Sequence, residues 1–147
     1  MKKILLTVVI GLIVIFSAFS TGFPQVIKTP SPELPKEIAA FSGKWKGTWS
    51  GVGIHFTLIV TEINMEKAEI IYSTMGSSKG AAASEDITAK VILGNNPKIQ
   101  FSRSVHGVRV GIGSAWYTFE MQKDLKTLKG VAEGAKMSGT ATLERIE

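Results

Sequence analysis

From Gly43 to the C-terminus apolar and polar residues trade places every second position, the period of a half-buried strand. The first such run, Gly43 to Trp49, puts Trp45, Gly47 and Trp49 on one face and Lys44, Lys46 and Thr48 on the other. After a glycine-rich turn, Ile54 to Ile63 sets Phe56, Leu58 and Val60 against His55, Thr57 and Thr61, in a stretch rich in β-branched residues. Asn64-Met65 makes a tight connection into Lys67–Ser73, with Ala68, Ile70 and Tyr72 on one face. Thr74 to Asp86 has too little apolar content to pack and reads as the longest irregular, mobile piece.

The second half repeats the pattern. Ile87, Ala89, Val91 and Leu93 alternate, and Gly94-Asn95-Asn96-Pro97 is a turn by composition. Lys98 to Val105 then carries Ile99, Phe101, Arg103 and Val105 on one side. Gly107–Ile112 and Ala115–Met121 read as one long strand with a bulge or bend near Gly111 and Gly113. Lys123–Lys126 turns the chain into Leu128–Glu133. A last run, Met137 to Ile146, alternates Met137, Gly139, Ala141, Leu143 and Arg145. About eight short strands joined by tight turns, with no long amphipathic helix, predict an all-β antiparallel meander, closed as a barrel or folded as a sandwich.

The N-terminal forty residues follow different rules. A basic Met1-Lys2-Lys3, an apolar run from Ile4 to Phe16 and a Ser17-Ala18-Phe19-Ser20 end have the layout of a signal peptide, with cleavage expected after Ser20. Counted to Phe19, the apolar run is about 16 residues, short of the roughly 20 that a spanning helix wants, so an uncleaved membrane anchor is the weaker alternative. Residues 21–40 form a linker holding Pro24, Pro30, Pro32 and Pro35, whose backbone should be extended. A helical turn after Pro35 would set Ile38 and Phe41 on one side, with Gly43 just beyond its end. Residues 41–147 are the barrel domain.

Composition narrows the destination more than the function. With no cysteine, the domain has no disulfide framework and no site for a cysteine-linked lipid. Lys2 and Lys3 leave with the signal peptide, so 17 basic residues become 15 against 12 acidic ones, a mature net charge of +3. The lysines (Lys44, Lys46, Lys67, Lys90, Lys129) are scattered over polar strand faces, which argues against nucleic acid as a partner. Export to the periplasm, the cell surface or the medium is the expected fate.

Gly43-Lys44-Trp45 opening the first strand, with Arg145 in the last, resembles the calycin pattern of lipocalins and their relatives. The longer string Gly-x-Trp-x-Gly-x-Trp, followed by Ala68-Glu-Ile-Ile-Tyr-Ser and Thr142-Leu143-Glu144-Arg145, is similar to a lipocalin-like domain of bacterial exported proteins, found alone or beside hydrolase domains. The resemblance implies a closed up-and-down barrel in which Trp45 and Arg145 are a structural closure pair. A guanidinium lying across an indole is a favourable contact, and pairing the first strand with the last removes both sheet edges.

Candidate chemistry is sparse. Gly76-Ser77-Ser78-Lys79-Gly80 matches the Gly-x-Ser-x-Gly nucleophile elbow in letters, but that motif needs a strand before it and a helix after it; here a flexible loop is the better reading. His55 and His106 are the only histidines and have no metal-ligand spacing, so no metal or cofactor is expected. Glu62, Glu66 and Glu69 straddle a turn and define no acid–base pair. The strand aromatics carry more information. Trp49, Phe56, Tyr72, Phe101 and Trp116, with Arg103 as a polar group, form the expected lining for a small apolar or amphipathic ligand; Tyr117 adds another ring. The alternative is that these rings simply fill the core of a structural or interaction module, perhaps accessory to a partner enzyme. An enzyme is the least favoured reading.

Overall fold

A computed structural model describes residues 25–75, 83–107, 111–134 and 137–146. The expected signal peptide lies outside the described residues, as does Ser78. Eight strands, β1 (Gly43–Trp49), β2 (Ile54–Ile63), β3 (Lys67–Met75), β4 (Ala83–Ile92), β5 (Lys98–Gly107), β6 (Gly111–Met121), β7 (Thr127–Gly134) and β8 (Met137–Arg145), follow a four-residue helix, α1 (Lys36–Ala39). Each strand pairs antiparallel with the next and β8 returns to β1, so the sheet is a closed up-and-down barrel. The architecture is compatible with a lipocalin-like fold.

Closure sorts the side chains into two sets. Along β1 the burial alternates strictly from Trp45 to Trp49, because odd residues point inward and even ones to solvent. The inward set forms one apolar core from Trp45 through Leu58, Ile70, Ile99 and Phe119 to Leu143. Gly47 and Gly130 belong to that set because of what faces them. A Cβ at Gly47 would stand 2.9 Å from Leu143 Cγ and 3.0 Å from the Thr142 carbonyl oxygen, and one at Gly130 would stand 2.9 Å from Phe119 Cε1. The bare backbone there makes room for side chains of the neighbouring strands, Leu143 and Phe56 beside Gly47 and Phe119 beside Gly130.

One end of the barrel is stoppered. Ile38 and Phe41, the residues expected to plug something apolar, are buried beneath the strands. The Trp45 indole N–H donates to the Phe41 carbonyl oxygen at 2.8 Å, and the Arg145 guanidinium donates to the carbonyl oxygens of Ser42 and Ala40. The same guanidinium lies 4.4 Å from the centre of the Trp45 ring. Upstream of α1, the Lys28 backbone N–H donates to the Thr61 carbonyl oxygen, so the chain is tied to the wall where β2 carries an irregularity between Val60 and Glu62.

Two ladders are short. Between β1 and β8 the register runs over Trp45–Gly47 with Leu143–Arg145, flanked by hydrogen bonds from the Ile146 N–H to the Lys44 carbonyl oxygen and from the Ser50 N–H to that of Thr140. Between β4 and β5 it runs over Lys90–Ile92 with Lys98–Gln100, although both strands continue well beyond.

Several expectations need correction. The stretch from Gly107 to Ile112 is not the start of one long interrupted strand. Gly107 pairs with Gly111 across a hairpin, β6 then runs unbroken to Met121, and no register shift occurs at Gly113. The two glycines sit where the chain reverses, which is the other use of a glycine pair between strands. The expected irregular piece from Thr74 to Asp86 is strand at both ends, and residues 76–82 lie outside the described residues. Thr74 and Met75 end β3, and Ala83–Asp86 begin β4, paired with Ile71–Thr74; small and polar residues are held there by the ladder rather than by packing. Leu93 lies beyond the end of β4 and is exposed instead of extending its inward face.

Candidate functional site

The inward face changes character toward the end away from α1. In the middle of the barrel it is all ring. Trp49 stacks on Phe56 with centroids 4.8 Å apart, Phe101 stacks on Tyr117 at 5.3 Å, and Phe119 lies within 6.0 Å of Trp49, Phe56 and Phe101. Tyr72 bridges the groups, 5.5 Å from both Phe56 and Tyr117, and accepts a hydrogen bond from the Trp49 indole N–H at 2.9 Å. Offset and tilted ring contacts in this range add stabilisation beyond the area they bury.

Above the rings stands a charged pair. Arg103 shares the inward face of β5 with Phe101, two residues away, and is paired across the ladder with the buried Ala115. Glu85 is paired directly with Tyr72 across the β3–β4 ladder, so both point the same way. The Arg103 Nε donates to Glu85 Oε2 at 3.1 Å. The guanidinium lies over Tyr72, 5.0 Å from its centre, and 6.0 Å from Tyr117. The Arg103 side chain is 18% exposed and that of Glu85 48%. This pair joins β4 to β5 where their ladder has already stopped.

The candidate residues therefore divide. Trp49, Phe56, Tyr72, Phe101 and Arg103 converge on one aromatic and charged cluster, and Tyr117 with them. Trp116 does not. It is 53% exposed on the outer wall, paired with Ser102 and Glu133, because its neighbour Tyr117 takes the inward position and adjacent strand residues cannot share a face. Glu85 is the residue that reading the sequence missed. It was assigned to the irregular stretch, yet counting back by twos from Ala89 through Ile87 places it on the inward side.

The remaining candidates lie elsewhere. His55 is on the outer wall, hydrogen-bonded through Nδ1 to Thr48 Oγ1 at 2.7 Å beside a surface groove of about 580 Å³. The side chain of His106 lies outside the described residues. Glu62 pairs with Lys28, while Glu69 accepts hydrogen bonds from Lys67 and Thr88, which hold its carboxyl below the usual range. Among the described residues no three His, Asp or Glu stand together as metal ligands.

Burial pushes both tyrosine hydroxyls up from the ordinary value near 10; the Trp49 hydrogen bond and Arg103 pull Tyr72 back only in part. A raised pKa in the folded state means that folding favours the protonated phenol. The contribution is complete below the unfolded value near pH 10 and is lost as pH rises above it. These are the only two tyrosines in the chain. We expect no phenolate absorbance at 295 nm while the barrel stands, then both hydroxyls ionising together with loss of near-ultraviolet dichroism in an alkaline titration. A phenolate signal appearing in the native protein near pH 10 would show that one ring is solvated.

No family model, curated protein or solved structure matches the chain.

Proposed function

We propose that this chain is an exported, non-enzymatic, lipocalin-like binding domain whose site is the Arg103–Glu85–Tyr72–Tyr117 cluster at the barrel end away from α1, and that its ligand is small and apolar or amphipathic. The observation that carries the reading is the ion pair itself. A charge on the inward face is costly unless it is paired and hydrogen-bonded, and the surrounding rings could have been packed with an apolar residue in its place. A few polar groups set on an aromatic floor is how sites for small molecules are generally built. The signal-peptide layout of residues 1–20 supports export, and the Gly-x-Trp with its stacked Arg145 supports the lipocalin-like assignment.

A second reading has its own observation. The six rings touch one another through the middle of the barrel, as they would in a filled module that works through its outer surface. Titration with N-phenyl-1-naphthylamine, an uncharged amphipathic fluorophore, separates the two. A saturable rise in dye emission at one dye per chain, with quenching of tryptophan emission, is the result expected of a binding domain. A linear, unsaturable response would favour the filled module.

A further inference from the structure

The two members of the ion pair are held very differently. Arg103 is fixed from several sides: its guanidinium lies over Tyr72, approaches Tyr117, and is mostly enclosed. Glu85 is half in water and sits on the part of β4 that has no ladder with β5. Moving its carboxylate away returns it to solvent at little cost, since a half-exposed ion pair is weak. Moving it away also leaves the guanidinium enclosed over apolar rings without a counter-ion, which is the costly half of breaking such a pair.

We infer that Glu85 is a placeholder for the ligand: the molecule bound at this site brings its own anionic group, which displaces the Glu85 carboxylate from Arg103, while its apolar part stays outside the ring layer, because Tyr72 and Tyr117 are buried beneath the guanidinium. This deepens the proposed binding function and rests on it. The charge balance of the site is the same before and after exchange, one cation and one anion, so no buried charge is created. The ring contacts beneath set the shape. With Trp49, Phe56, Phe101 and Phe119 in mutual contact, the middle of the barrel is occupied by the protein's own side chains. The fitting ligand is therefore a compact acid rather than a molecule with a long chain to thread inward.

The test uses two dyes with the same aromatic body. 8-Anilinonaphthalene-1-sulfonate carries an anionic group that N-phenyl-1-naphthylamine lacks. In the full-length protein, Glu85→Gln removes the competing charge and should raise the preference for the sulfonate dye over the uncharged dye by about tenfold, the scale of one charge-assisted contact. Arg103→Gln should erase the preference for the sulfonate and leave both dyes equal. If Arg103→Gln does not fold, Glu85→Gln decides alone, because a glutamine at position 85 keeps an amide oxygen that can accept from Arg103 Nε. An unchanged or lower preference for the sulfonate in Glu85→Gln overturns the placeholder role, an equal gain for both dyes included. A wild-type protein that takes up neither dye overturns the binding function itself, a different result from one that binds the uncharged dye and ignores the charge at position 85.

Discussion

Replacing Trp49 with alanine is expected to lower the folding free energy by about 3–5 kcal/mol, the range for deleting a large buried aromatic. The indole is fully enclosed and stands at the centre of the ring network, stacked on Phe56 and in contact with Tyr117 and Phe119. It also donates the hydrogen bond that Tyr72 accepts. Alanine removes all of these together, and the walls cannot close on the hole because each strand is held by both neighbours in a closed sheet. Trp49→Phe should cost less, since it keeps most of the ring area and loses chiefly the N–H donor. Urea unfolding followed by far-ultraviolet dichroism measures both. An alanine variant within about 1 kcal/mol of wild type would mean that the core repacks far more freely than close-packed interiors do.

Arg145→Ala should produce the second largest loss, about 2–4 kcal/mol from removing charged donors on two carbonyl oxygens together with a cation–π contact. The chemistry differs from that at Trp49, because little apolar area is lost. What goes is the tie between β8, the Ser42 and Ala40 carbonyls after α1, and the Trp45 face. Arg145→Lys is the informative companion. An ammonium keeps the charge but cannot fork onto two carbonyl oxygens while lying flat on an indole. Lysine should therefore recover less than half of the loss in the same urea titration. Full recovery would assign the role of Arg145 to charge alone.

The fold was legible because strand alternation is read one residue at a time and a closed sheet leaves each strand a single buried face. Trp45, Phe56, Tyr72, Phe101 and Leu143 all lie on the side the alternation predicts. The errors came where alternation carries no signal. At Thr74 and from Ala83 to Asp86 the residues are small or polar, and their pairing comes from backbone hydrogen bonds that the side chains do not announce. At Gly107 and Gly111 a glycine pair fits a bend within a strand as well as a reversal between two, and only the partner strand decides. Trp116 and Tyr117 are adjacent in one strand, so only one of them can face inward, and residue type alone does not say which. The site suffered in the same way. Arg103 was found as a polar residue on an inward face, while its partner Glu85 was hidden in the stretch read as loop. An ion pair between neighbouring strands whose ladder has ended leaves no spacing rule in the sequence.

The two short ladders divide the molecule along its length. One lies between β1 and β8, the other between β4 and β5, so each side of the division keeps four consecutive strands joined by longer ladders, with one irregularity between β2 and β3. Mechanically the barrel is two four-stranded leaves clasped along two lines, and each line is pinned by an arginine lying on aromatic rings: Arg145 on Trp45, Arg103 on Tyr72. The covalent link between the leaves is the single turn from Leu93 to Pro97. A cut in that turn leaves both leaves whole and both clasps in place, so the natural fragments of this protein are its halves, and amide exchange should be fastest along the clasps.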